Sequence, residues 1–146
     1  MKNRSSYEIS PQVKRNWREA CKVRKNSHSP YSGFKVGAAF SHKSKVVTGT
    51  NVENASYGAA ICAERAAICT AISEFGKLDM QDLVIVTDAK NPTPPCGMCL
   101  QVMSEFAPRH MRIWLGNSKR ILVKTHLSAL LTTPFKSENM GTKKSR

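Results

Sequence analysis

Two short stretches carry residues able to do chemistry: Cys62-Ala63-Glu64-Arg65, and Pro94-Pro95-Cys96-Gly97-Met98-Cys99. Side chains three apart on a helix share a face, so Cys96 and Cys99 can present two thiolates to one metal ion. That spacing alone also occurs in redox sites and structural zinc knuckles. A structural zinc site takes four protein ligands, and this chain has no second C-x-x-C and no paired histidines. His28, His42, His110 and His126 are scattered without ligand spacing and read as surface or strand residues. Cys62 is the natural third ligand. Three protein ligands with one open position is the pattern of a catalytic zinc, so Cys62, Cys96 and Cys99 are expected to hold one Zn²⁺ per chain.

Glu64 and Arg65 fit this arrangement. Positions 62 and 64 diverge inside a regular helix, but side chains at a helix start lean back past its end. With Cys62 at the cap and Glu64 in the first turn, both can reach one point beyond the terminus, and Cys96 sits likewise behind Pro95. Two helix N-termini then aim at one metal, and their dipoles favour thiolate over thiol. Glu64 is placed to take a proton from an activated water and hand it to a substrate. A first-turn glutamate also complements a helix dipole, but that role leaves the neighbouring cysteines unexplained. Three thiolates leave zinc with a net negative charge, which works against acidifying water. Arg65 is the candidate to offset it, the ordinary alternative being a surface arginine.

These groups need a frame. Pro11 to Asn26 has a helical rhythm of Val13, Trp17, Ala20, Cys21 and Val23. His28 to Phe34 is turn chemistry, and 35–42 and 45–52 read as two strands of a hairpin. The alanine-rich run 59–76, with Gly76 at its end, is the best helix. Residues 82–88 form a continuous apolar run, as expected of a strand buried on both faces. A proline-opened helix over 95–106, two strands at 111–116 and 120–125, and a short helical piece at 126–131 complete the chain. Helices alternating with strands predict an α/β fold, three-layer α/β/α with a central mixed sheet of about five strands. Cys21, Cys69, Met98, Met103 and Phe106 are expected in the core.

The chain has 146 residues and no internal repeat, which predicts one domain over 1–146 with mobile basic tails at 1–8 and 137–146. No apolar run is long enough to span a bilayer, and the polar N-terminus does not read as a secretory signal. A cytoplasmic protein with reduced thiols is expected. The net charge of +13 stands out. It reads as a solvated basic helix face plus tails, or as a surface that attracts polyanions.

The stretches "PYSGFKVGAA", "NVENASYGAAICAERAA" and "PCGMCLQVMSEF", in this order, resemble the small homotetrameric zinc-dependent cytidine deaminases. The likeness runs from about Pro30 to Phe106 and more weakly to Phe135. It implies hydrolytic deamination of cytidine and deoxycytidine in pyrimidine salvage, with Cys62, Cys96 and Cys99 on zinc and Glu64 moving protons. It further implies Asn51 and Glu53 on the sugar hydroxyls and Phe34 on the pyrimidine ring. The backbone N–H of Ala63 is assigned to the base carbonyl, and the C=O of Pro94 to the leaving amine. Ala55, Tyr57 and Phe135 are assigned to contacts with a neighbouring subunit's ligand. The chain departs from the family at Leu100, where arginine is usual. Its basicity keeps open an alternative function, a deaminase or binder acting on single-stranded nucleic acid.

Overall fold

A computed structural model of the protein describes residues 8–141. Helix α1 (Pro11–Arg24) starts where Pro11 presets a helical φ and where Ser10 accepts the Val13 N–H at 3.3 Å. Strands β1 (Gly37–His42) and β2 (Lys45–Thr50) form an antiparallel hairpin whose tight turn puts Lys43 at φ 54°. There follow α2 (Ala63–Phe75), β3 (Asp82–Val86), α3 (Gly97–Phe106), β4 (Arg112–Gly116), β5 (Ile121–His126) and the single turn α4 (Leu127–Leu130).

The five strands make one sheet in the order β2-β1-β3-β4-β5. Only β3 and β4 run parallel, so the sheet is mixed. Alternate residues of each strand face opposite layers. Ala39, Val84, Val86 and Trp114 pack with Val13 and Ala20 of α1. Ala38, Phe40, Leu83, Ile85, Ile113 and Leu115 pack with Ala67, Ile68, Leu100 and Met103 of α2 and α3. The expected three-layer α/β/α arrangement is therefore present, with β3 buried on both faces.

Two glycines set how closely the helices approach. A Cβ on Gly37 would lie 2.1 Å from the carbonyl oxygen of Ala20 in α1. On Gly49 it would lie 2.3 Å from the Ala67 nitrogen and 2.4 Å from the Ala63 oxygen in α2. Neither distance is sterically possible, so hydrogen at both positions lets α1 and α2 lie directly on the hairpin. Gly49 thereby fixes the start of α2, the segment that carries Cys62 and Glu64.

Several expectations need correction. The helix expected over 59–76 begins at Ala63. Before it, Tyr57–Ala59 form a 3-10 turn and Ile61 bridges back to Val52. Cys69 is exposed, because α2 turns Ala63, Ala67, Ile68 and Ala71 inward and Cys69 follows Ile68 by about 100°. Met98 is 63% exposed, since α3 buries Cys99, Leu100 and Met103. Cys21 is half-buried beside α1's core, and Met103 and Phe106 pack as expected. Of the two basic tails, 1–7 and 142–146 lie outside the described residues, and Ser137–Met140 form a 3-10 turn. No helix among the described residues is long and apolar enough to cross a membrane.

Candidate active site

Cys62 is the N-cap of α2 and Cys96 the N-cap of α3, both in extended conformation with no side-chain capping bond. Their sulfurs are free to point beyond the helix ends, and they meet 3.8 Å apart. Cys99, one turn into α3 and fully buried, lies 3.5 Å from Cys96. All three sulfurs fall within 4.8 Å of one another. Sulfurs about 2.3 Å from a tetrahedral zinc lie about 3.8 Å from each other, whereas a disulfide requires about 2.05 Å. The cluster has the spacing of a metal site and not of a disulfide, and a soft three-sulfur donor set suits zinc.

The electrostatics favour anionic sulfur at Cys62. Hydrogen bonding from the Cys99 thiol, aided by Arg65, outweighs burial and brings the Cys62 thiol down to about 5. The same bond to Cys62, together with burial, pushes Cys99 up. Arg65 Nη2 lies 3.7 Å from Cys62 Sγ and donates to the Ala60 carbonyl at 3.1 Å. Arg65 thus reaches the cluster and is not a solvated surface arginine. Glu64 is 5% exposed, with Oε2 3.7 Å from Cys99 Sγ. Burial raises its carboxyl above the usual carboxylate range.

A cleft of about 290 Å³ opens over this cluster, at the small end of the roughly 300–1,000 Å³ typical of ligand sites. It is lined by Cys62, Cys96, Glu64 and Pro94 together with Phe34, Asn51 and Glu53. The segments holding these last three are bound to each other. Asn51 Oδ1 accepts from the Ser27 hydroxyl at 2.6 Å and the Val36 N–H at 2.8 Å, and Nδ2 donates to the Phe34 carbonyl at 2.8 Å. Glu53 Oε2 accepts the N–H groups of Tyr31 and Ser32 at 3.0 and 3.2 Å, and Oε1 accepts the Ser32 hydroxyl. One Asn51 N–H and roughly one of four Glu53 lone-pair positions remain. A free donor beside a free acceptor is the complement of a hydroxyl group.

Ala63 is fully buried behind the cleft, and as the first residue of α2 its N–H has no intrahelical acceptor. Tyr57, 76% exposed, lines an adjacent cleft of about 340 Å³ with Tyr31, Ser32 and Glu53. Ala55 and Phe135 are exposed and line neither cleft. Gln101 holds the Phe135 backbone from both sides: its Nε2 donates to the carbonyl at 2.8 Å and its Oε1 accepts the N–H at 3.1 Å. Leu100 is buried in the core, so an apolar residue is well housed where the family usually has arginine. The site residues expected from the sequence did not include Val36, Ala60, Ile61, Ile85, Thr87 and Thr93, which complete the cleft lining. Position was the available signal: Thr87 directly follows the buried strand β3 and Thr93 lies three residues before the Cys96 cap, and α/β folds place ligands outside strand C-termini.

A mixed sheet flanked by helices, with two helix tips joined in a three-sulfur cluster beside a buried glutamate, defines a zinc deaminase-type protein. Residues 11–115 match the family described as "Cytidine and deoxycytidylate deaminase zinc-binding region". The chain is 44% identical over 125 residues to a cytidine deaminase of Halalkalibacterium halodurans, covering 85% of this chain and 94% of that protein. It is 37% identical over 124 residues to a cytidine deaminase of Sporosarcina psychrophila, covering 84% and 90%. The crystal structure of cytidine deaminase from Burkholderia pseudomallei superimposes with a TM-score of 0.77 at 35% identity, covering 84% of this chain and 98% of that one. That from Mycobacterium tuberculosis gives 0.72 at 33%, covering 87% and 99%. This chain belongs to the cytidine deaminase family.

Proposed function

We propose that the protein deaminates free cytidine and deoxycytidine hydrolytically, giving uridine or deoxyuridine and ammonia. The observation that carries this reading is the meeting of two sets of residues in one cleft. Cys62 and Cys96 of the three-sulfur cluster line it with the buried Glu64 carboxyl, and so do Asn51 and Glu53, a donor–acceptor pair suited to a sugar hydroxyl.

Zinc, held by Cys62, Cys96 and Cys99, supplies Lewis acidity that makes a water nucleophilic at neutral pH. Glu64 takes the proton from the water that adds to C4 of the ring. Burial disfavours its charged form, so the carboxyl can hold that proton as a neutral acid and pass it to N3. The water's second proton leaves through the same carboxylate to the exocyclic amine, the C4–N bond breaks, and ammonia departs. The Pro94 carbonyl accepts from that amine, a role that proline's missing N–H does not affect. The Ala63 N–H donates to the base carbonyl, with the α2 dipole behind it. Phe34 packs on the ring, while Asn51 and Glu53 bind sugar hydroxyls and disfavour substrates that leave them unpaired. Arg65 offsets the negative charge of three thiolates.

On this reading the protein works in pyrimidine salvage in the cytoplasm as a homotetramer. Self-association is supported by exposed Tyr31, Tyr57, Ile61, Met98 and Phe135. Tyr57 of the second cleft, exposed Ala55, and Phe135, held by Gln101, then meet a neighbouring copy. The test is to incubate the protein with cytidine, deoxycytidine, cytosine, cytidine monophosphate and a cytosine-containing oligonucleotide, and measure ammonia. Release from the two nucleosides alone is expected. Release from the oligonucleotide but not from the nucleosides would refute the proposal.

A further inference from the structure

The deaminase reading uses none of the excess positive charge, and the fold concentrates part of that charge on one surface. On α1 and its C-cap, Lys14, Arg15, Arg18, Lys22 and the capping Lys25 are all exposed. At about 100° per residue these five side chains occupy an arc of about 100°. Val13, Asn16 and Ala20, the buried residues of α1, lie on the opposite side of the helix, against the sheet. Arg24 belongs to neither set: it is largely buried and paired with Asp88. The stripe carries little internal compensation. Lys22 pairs with Glu19 at 2.6 Å, and Lys14, Arg18 and Lys25 make no ion pair with a described residue.

We propose that the outer face of α1 is a docking surface for the phosphate backbone of a nucleic acid, bound without regard to sequence. Eleven residues of helix rise about 16 Å between Lys14 and Lys25, and one strand of a duplex presents a phosphate about every 3.4 Å along its axis. The stripe therefore faces about five phosphates with five cations. No aromatic side chain shares it. Trp17, the one aromatic of α1, is half-buried and donates its indole N–H to the Asn117 carbonyl at 3.0 Å. Base stacking is thus missing, which leaves the electrostatic mode that ignores sequence. An anionic membrane is the weaker match, because a helix that inserts at a bilayer surface needs a free apolar face, and that of α1 is committed to the sheet. The stripe lies in the layer opposite α2 and α3, so docking leaves the zinc cluster untouched.

The test is a titration of the full chain against a fluorescent 20-base-pair DNA duplex between 50 and 200 mM salt. Two variants are compared with the parent: Lys14→Gln/Arg18→Gln/Lys22→Gln, and a chain with Lys2, Arg4, Lys143, Lys144 and Arg146 changed to glutamine. The expected slope of log K against log salt for five contacts is about −4.5, falling to about −2 in the stripe variant. That variant should bind at least tenfold more weakly at 100 mM salt, bind duplexes of different sequence alike, and deaminate cytidine as the parent does. Absence of duplex binding at 50 mM salt overturns the proposal. So does loss of binding in the tail variant alone, or binding confined to phosphatidylserine vesicles.

Discussion

Ser32 and Glu53 are joined by a hydroxyl-to-carboxylate hydrogen bond, and the same hydroxyl accepts the Phe34 backbone N–H at 3.0 Å. The Ser32 hydroxyl is the main cause holding the Glu53 carboxyl below the usual carboxylate range. The residue proposed for the ring and the residue proposed for the sugar are thus positioned by one serine. Ser32→Ala should raise KM for cytidine about tenfold and lower kcat by less, since both groups act in binding. Ser32→Thr, which keeps the hydroxyl, should recover most of the loss. Steady-state kinetics on the three proteins decides the matter. A fall in kcat at unchanged KM would contradict this placement.

Arg65 reaches Cys62 at 3.7 Å, and its buried Nε has no partner among the described residues. Its charge is therefore directed at the sulfurs. Arg65→Gln should lower kcat/KM by about 10–100-fold, the range typical of groups that tune a metal's ligands. The zinc of the variant should also be removed more readily by a chelator, which a competition titration measures. Parent-like kinetics would return Arg65 to a purely structural role.

Gly49→Ala tests whether the hairpin sets the position of α2. The added methyl meets backbone atoms of Ala63 and Ala67, which cannot move aside as a flexible side chain can. Overpacking of this kind costs about 1–3 kcal/mol, and here it also displaces the turn holding Glu64. A lower melting temperature together with a fall in kcat is expected. Unchanged melting and activity would show that the helix is not fixed there.

The sequence was most informative where local rules and packing agree. Residues 82–86 were readable as a doubly buried strand because every residue is apolar after Asp82. The tip of α3 was readable because Pro95 and Cys96 stand at its start. The first turn of the helix expected from residue 59 failed because alanine's helix propensity is worth little beside the bridge between Val52 and Ile61. Cys69 and Met98 were misplaced because residue type was weighed above position: Cys69 adjoins Thr70, Ser73 and Glu74 on the outer side of α2, and Met98 lies one turn before Gln101 and two before Glu105 of α3. The links from Ser32 to Glu53 and from Gln101 to Phe135 span 21 and 34 residues, and nothing in residue type announces such pairs.

Asp82 and Arg112 face each other across the parallel strands β3 and β4. Burial alone would raise the Asp82 carboxyl, but hydrogen bonds from Arg112 and Trp114 outweigh it and hold it below its ordinary value. A depressed carboxylate contributes stability that is present above its unfolded value of 3.8 and lost as pH falls through the folded value. Asp82→Asn should therefore cost about 1 kcal/mol at pH 7, and the gap to the parent should close below about pH 4. Urea unfolding of both proteins across that range measures it. A gap independent of pH would contradict the ion pair's role.

Measuring zinc content and cytidine turnover together in Glu64→Gln separates proton transfer by Glu64 from metal binding by Cys62, Cys96 and Cys99. About one zinc per chain is expected, as in the parent, with turnover lower by about 10²–10⁴-fold. A variant that keeps its zinc and turns over cytidine within about tenfold of the parent would contradict proton transfer by Glu64.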